Sequence, residues 1–330
     1  MTTRFTRLIG CNVPIQQAGM GGVATAELAS AVALAGALGM IGGVRLRAKV
    51  LGEELDSLPR QTRSRIGVNF LVPFLDRESL EVAASRVRVV EFFYGEPDAD
   101  LVERAHGAGA LAAWQVGSVE EARAAAGAGC DFLVAQGIEA GGHVRGRIGL
   151  LPLLDGVLDA VNVPVLAAGG IATARAMAAA LAAGADGVRV GTRFVAAAES
   201  AAHPAYQEAL LRAEPEDTIL TEAYSANWPN APHRVLRGCI EAAQALTDDL
   251  VGGERPAGRG DAGATLPLTR FMTPPPTRWS TGKIEAMPHY AGQSVGAVQK
   301  IQPAADIVRE LAEGAERLLR EREGLIPIRH

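Results

Sequence analysis

Eight short apolar runs, alternating with helical and mostly alanine-rich stretches, dominate the first 196 residues and leave few folds open. The runs are residues 14–20, 38–43, 66–72, 89–95, 110–116, 131–137, 164–170 and 186–192. Helix candidates such as 25–37, 98–109, 118–129 and 173–184 lie between them. Several of these open on Thr, Ser or Asp and close on Gly, as helix caps require. Continuous apolar strands separated by helices predict a parallel sheet covered on its faces. Eight in one unbroken series predict a (β/α)8 TIM barrel. An open dinucleotide-binding sheet needs Gly-x-Gly-x-x-Gly after a strand, and the nearest candidate, Gly19 to Gly22, reads Gly-Met-Gly-Gly.

The pattern changes after Phe194. Residues 197–255 read as helices around the polar stretch 221–238, residues 256–282 as a Pro/Gly/Arg-rich loop, and about 303–323 as an amphipathic helix. The expected organisation is an α/β barrel from 1–196 plus about 290–330, with a small, mostly helical lid at 197–289. Charged residues are 21% of the chain, hydrophobic residues 48% and aromatic residues 5%, with net charge −5. That is globular composition with no electrostatic reason to bind nucleic acid. Cys11, Cys130 and Cys239 are too few and too scattered for a disulfide framework or a zinc site. The amino-terminal stretch lacks the apolar core of a signal peptide. Residues 23–44, interrupted by Glu27, read as a buried helix and strand, so a cytoplasmic protein is expected.

Ligands of such barrels sit at the carboxyl ends of the strands. The seventh run ends in Gly169-Gly170 before a helix at Thr173, and the eighth in Gly191-Thr192-Arg193. Glycines at a helix start let backbone N–H groups approach an anion, which predicts a phosphate site shared by these two loops. The sixth run leads into Gln136, Gly141, Gly142 and His143, an imidazole at the mouth suited to act as general base. Asn69, Gln16, Gln17, Trp114 and Gln115 add amides and one ring. His106, His203, His233, His289 and His330 read as structural, with no metal-ligand spacing. The only lysines, Lys49, Lys283 and Lys300, lie away from strand ends, which excludes a Schiff-base aldolase. No carboxylate pair converges there for glycoside hydrolysis or a divalent metal, and no Gly-x-Ser-x-Gly supports a serine hydrolase. The residues alone imply a phosphate-bearing organic cofactor or substrate beside an imidazole, and no metal.

Several motifs in order resemble the nitronate monooxygenase family, formerly the 2-nitropropane dioxygenases. They are PIQQAGMGG (14–22), GVNFLV (67–72), AQGIEAGGHVRG (135–146), PVLAAGGI (164–171), GADGVRVGTRF (184–194) and YAGQSVG (290–296). The resemblance implies an FMN-dependent TIM barrel. It implies FMN contacts from Asn69, Gln115, Gln136, Gly141, Gly142, Gly191 and Thr192, with Ala18-Gly19-Met20 along the isoalloxazine. Gly169–Gly170 and Gly191–Thr192 would hold the phosphate, and His143 would be the catalytic base. Tyr290, Gln293 and Ser294 would roof the substrate pocket. Two features depart from the family: Arg189 stands where many relatives have Gln, and the segment after His143 is one residue longer, so that Arg145 or Arg147 could reach the mouth and favour an anionic substrate. Gln115 stands where some NADH-oxidising relatives have lysine, which removes a charge from the flavin edge. The activity implied is oxidation of a nitronate or nitroalkane with O2 to a carbonyl compound and nitrite. The alternative is an FMN-dependent NAD(P)H reductase of quinones or enoyl thioesters, and a third reading is a flavin-free barrel binding a sugar phosphate. Helix faces leave an oligomer open, and no membrane partner is expected.

Overall fold

Every one of the eight apolar runs forms a parallel strand in the computed structural model, which describes residues 1–254 and 265–323. They are β1 (Ile15–Gln17), β2 (Gly39–Gly42), β3 (Ile66–Leu71), β4 (Val89–Phe93), β5 (Leu111–Val116), β6 (Phe132–Gln136), β7 (Val165–Ala168) and β8 (Gly187–Val190). Their hydrogen-bonded order is β1-β8-β7-β6-β5-β4-β3-β2, and the bridge Gln16↔Leu38 joins the two ends. The sheet therefore closes into a (β/α)8 barrel.

Alternation along each strand divides the core in two. One set of residues, Ile15, Ile41, Val68, Val90, Phe92, Trp114, Leu133, Val165 and Val188 among them, packs outward beneath the helices. The other set, with Leu38, Met40, Val89, Ala113, Phe132, Val134 and Leu166, fills the barrel interior. The amino-terminal helix Arg4–Ile9 is capped by Thr3 and belongs to this inner cluster. Phe5 meets Phe132 edge to face at 5.4 Å, and Arg4 pairs with Asp186 at the start of β8. This helix plugs the end of the barrel opposite the mouth.

β8 is followed only by the four-residue helix Thr192–Val195. Helix Ala304–Glu323 packs against helices Ala174–Ala182 and Ala26–Leu34 and completes the outer layer. Ala304, Ile307, Val308, Leu311, Ala312 and Ala315, spaced three and four apart, are its buried stripe.

Between these segments the expectation of a mostly helical lid misses two small sheets. Helices Pro204–Arg212 and Arg237–Ala245 are present. Strands Thr218–Thr221, His233–Leu236 and Gly142–His143 form one antiparallel sheet. Strands Leu266–Thr269, Leu250–Glu254 and Ser280–Gly282 form another. The strands are two to five residues long and rich in Thr, Gly, Pro and His, so none shows as an apolar run. Part of the expected loop at 256–282 and His330 lie outside the described residues.

Candidate active site

The inward positions nearest the strand ends change from apolar to polar. Gln16, Asn69, Glu91, Gln115, Gln136 and Arg189 come from six strands, and each is at most 7% exposed. Glu91 accepts from Gln16 Nε2 at 2.8 Å, from Asn69 Nδ2 at 2.8 Å and from Arg189 Nη1 at 2.5 Å. The same Arg189 nitrogen donates to Gln115 Oε1 at 2.5 Å. A buried ion pair with amides satisfying its lone pairs is the arrangement that offsets desolvation of both charges. The strand-end reading omitted Glu91, and it treated the Gln115 edge as uncharged although Arg189 brings a cation to it.

His143 lies above this layer in the strand Gly142–His143, which pairs with Arg234 and His233 of the lid. Its ring stacks on Trp228 at 4.1 Å, with Tyr94, Tyr290 and His233 at 5.7, 5.7 and 5.3 Å. Tyr94 follows β4 directly with φ +64°, a backbone region that bulky residues rarely adopt, and this turn delivers its ring against the imidazole. Burial, with a smaller contribution from His233, pushes the His143 pKa down to about 3. His143 is therefore neutral throughout the physiological range. His233 is neutral as well, because its Nδ1 faces the Ala231 carbonyl and its Nε2 accepts from Tyr224 N–H, which fixes the proton on Nδ1.

Two enclosed polar atoms here have no partner: His143 Nε2 and Gln136 Oε1. The amide of the same Gln136 donates to the His143 carbonyl at 3.0 Å, which ties the end of β6 to the histidine strand. An orphaned acceptor at Gln136 Oε1 and an unpartnered ring nitrogen at His143 mark where a ligand's polar groups belong.

At β7 and β8, Gly169 and Gly170 adopt φ +104° and +69°, open only to glycine without strain. Among the described residues the N–H groups of Gly170, Ile171, Thr192 and Arg193 have no acceptor. These free donors, on two adjacent strand ends, fit an anion. Around them the loops touch backbone to backbone. A Cβ on Gly19 would lie 2.5 Å from Asn69 Cβ, and one on Gly141 would lie 2.5 Å from Gly292 N. Gly141 thus admits the 290–296 segment, whose Gly292 N–H donates to Thr192 Oγ1 at 3.0 Å.

The structure brings Ala18, Gly19, Met20, Asn69, Gln115, Gln136, Gly141, Gly142, His143, Gly169, Gly170, Gly191 and Thr192 to the carboxyl end of one barrel. Tyr290 faces His143 and donates its hydroxyl to the Thr273 carbonyl. Gln293 is exposed and Ser294 only half-buried, so this segment contributes Tyr290 and backbone more than a roof of side chains. Arg145 is paired with both Glu121 and Glu96, which neutralises the charge expected to draw an anionic substrate, and Arg147 is exposed. Trp228, Tyr94 and His233 were not anticipated. Among the described residues no cluster of metal-ligating side chains occurs, and no helix is long and apolar enough to cross a membrane.

Comparison with known proteins agrees with this architecture. Residues 2–79 and 47–314 match the nitronate monooxygenase family profile. A (3aS,4S,5R,7aS)-5-hydroxy-7a-methyl-1-oxo-octahydro-1H-indene-4-carboxyl-CoA dehydrogenase of Mycobacterium tuberculosis is 35% identical over 285 residues, covering 84% of this chain and 76% of that one. A probable nitronate monooxygenase of Staphylococcus aureus is 31% identical over 269 residues, covering 67% and 76%. Among solved structures, FabK from Thermotoga maritima superposes with TM-score 0.81 at 30% identity over 99% of this chain and 100% of that one. A nitroalkane oxidase from Streptomyces ansochromogenes gives 0.74 at 31% identity over 96% and 100%. The barrel, its polar mouth and these likenesses together make the chain an oxidoreductase, and it belongs to the nitronate monooxygenase family.

Proposed function

We propose that the protein is an FMN-dependent oxidoreductase that oxidises a nitronate or nitroalkane with O2 to the carbonyl compound and nitrite. Its general base is His143. The observation that carries this reading is the enclosed, unpartnered His143 Nε2 beside the unpartnered Gln136 Oε1 at the barrel mouth. FMN, when bound, supplies the electron acceptor and the centre that reacts with O2.

The residues fit that cofactor. The free N–H groups at Gly170, Ile171, Thr192 and Arg193 would hold its phosphate. Ala18-Gly19-Met20, pressed against Asn69, would line the ring, with Gln115, Gln136 and Gly142 at its edges. Asn69 and Gln115 act partly through the ion pair, since each already bonds to it. Gly141 acts by letting the 290–296 segment close. Residues 197–289 are assigned as the lid over this site.

With a neutral nitroalkane, His143 Nε2 accepts the α-proton; with a preformed nitronate no proton need move. Trp228, Tyr94 and Tyr290 exclude water from the imidazole. A base with a depressed pKa is always ready to accept but accepts weakly, so substrates with acidified carbon are its natural range. His143→Asn should lower kcat/KM on the neutral nitroalkane at least tenfold more than on its nitronate; equal losses on both would remove the base from the mechanism.

A second reading is an FMN-dependent NAD(P)H reductase of quinones or enoyl thioesters. It is favoured by the 35% identical relative, which is named as a dehydrogenase of a CoA-linked acid. Anaerobic NADH bleaching the yellow enzyme faster than nitronate does would select this reading.

A further inference from the structure

Arg189 carries donor capacity that the site described above does not use. A guanidinium has five N–H groups. Those on Nη1 reach Glu91 Oε1 and Gln115 Oε1, each at 2.5 Å. Among the described residues the Nε and Nη2 hydrogens have no acceptor, although the residue is only 7% exposed. Unlike Gln16 Oε1 and Gln136 Oε1, Nε and Nη2 are not sealed off, so their three N–H groups remain accessible to a ligand acceptor.

The pair is also polarised. Glu91 is spread over three donors, from Gln16, Asn69 and Arg189. Arg189 is held on one side only. The ion pair is neutral in sum, but its positive end is the side with unused donors. Gln16 Oε1 and Gln136 Oε1, orphaned in the same ring of inward residues, show that this layer awaits a partner presenting both donors and acceptors. A heterocyclic imide edge has that character, with two carbonyls flanking an N–H.

We propose that Arg189 is a cofactor-facing cation, held by Glu91 so that its Nε and Nη2 hydrogens meet the edge of FMN that gains negative charge on reduction. This rests on the FMN reading above and deepens it, because it assigns the reduced form a specific partner. Glu91 is the positioning residue: it bears no contact to the ligand and aims the guanidinium.

The test compares the midpoint potential and FMN affinity of the holoenzyme in wild type, Arg189→Gln, Arg189→Lys and the double variant Glu91→Gln/Arg189→Gln. Arg189→Gln should weaken binding of reduced FMN at least tenfold more than that of oxidised FMN. For a two-electron couple this equals a potential about 30 mV lower. Arg189→Lys should recover more than half of that shift, and the double variant, which leaves no unpaired charge, should fold normally and keep the lowered potential. If every variant shifts both redox forms equally, or shifts neither, Arg189 is structural and the inference fails. A wild-type protein that takes up no FMN would instead overturn the function proposed above, a separate result.

Discussion

Removing Trp228 should return to His143 much of the basicity that burial takes away. The imidazole lies near pKa 3 against an ordinary value near 6.5, and burial is the main cause. At 1.36 kcal/mol per unit, that depression is about 5 kcal/mol of preference for the neutral ring. Four rings share the cover, and Trp228 is the nearest, stacked at 4.1 Å against 5.3–5.7 Å for the others. Assigning it about half of the desolvation predicts a rise of roughly two units in Trp228→Ala. Trp228→Phe, which keeps an apolar cover, should move the pKa by less than about one unit. Histidine NMR titration, with His143→Asn identifying the signal, measures this directly. The kinetic counterpart is an acid limb in kcat/KM for a neutral nitroalkane. Wild type should be flat down to about pH 5, where only about 1% of His143 would be protonated, whereas Trp228→Ala should lose activity roughly tenfold per unit below its raised pKa. A wild-type His143 that titrates between 6 and 7, or a Trp228→Ala signal that does not move, refutes the reasoning.

Gly141→Ala would place a methyl 2.5 Å from Gly292 N and 2.6 Å from Ala291 C, both backbone, so the 290–296 segment must retreat. Loss of about 1–3 kcal/mol in urea unfolding and weaker FMN binding are expected. Phe5→Ala opens the plug against Phe132 and should cost about 3–5 kcal/mol, with FMN affinity unchanged because the plug is at the opposite end of the barrel. The double variant Arg145→Met/Glu121→Gln, which removes one charge of each sign, should leave KM for an anionic substrate within twofold, since the paired guanidinium draws no anion. Both His143, near 3, and His289, pushed by burial to about 4, bind protons more readily unfolded than folded. Stability should therefore be full above pH 6.5 and fall as pH drops toward 4, by at most about 2.7 kcal/mol per unit; an unfolding midpoint constant from pH 7 to 4.5 would contradict both shifts.

The barrel was legible because its strands are buried on both faces and need no partner to show their character. The pair Gly169–Gly170 and the single Gly191 were legible for a similar local reason, a backbone demand at a helix start. Glu91 was not, because attention to the final residues of each strand passes over it. Counting by twos inward from Asn69, Gln115, Gln136 and Arg189 would have found it, since its register partner is Asn69. The surroundings of His143 were hidden for another reason. Trp228 arrives from the lid and Tyr290 from the segment just after it, 85 or more residues away in sequence, on segments with no period of their own. The 290–296 segment seats itself through main-chain bonds, Gln293 N to Glu139 O among them, which side-chain patterning does not show, and the Gln293 side chain is exposed.

The pairing of Gly142–His143 with strand His233–Leu236 makes His143, the proposed base, a member of the cover as much as of the barrel. Any swing of that cover would carry the imidazole with it, so a gaping protein would be chemically silent while still gripping its cofactor. Divergence in the cover would then retune proton handling and substrate shape in the same stroke, with the cylinder beneath left untouched.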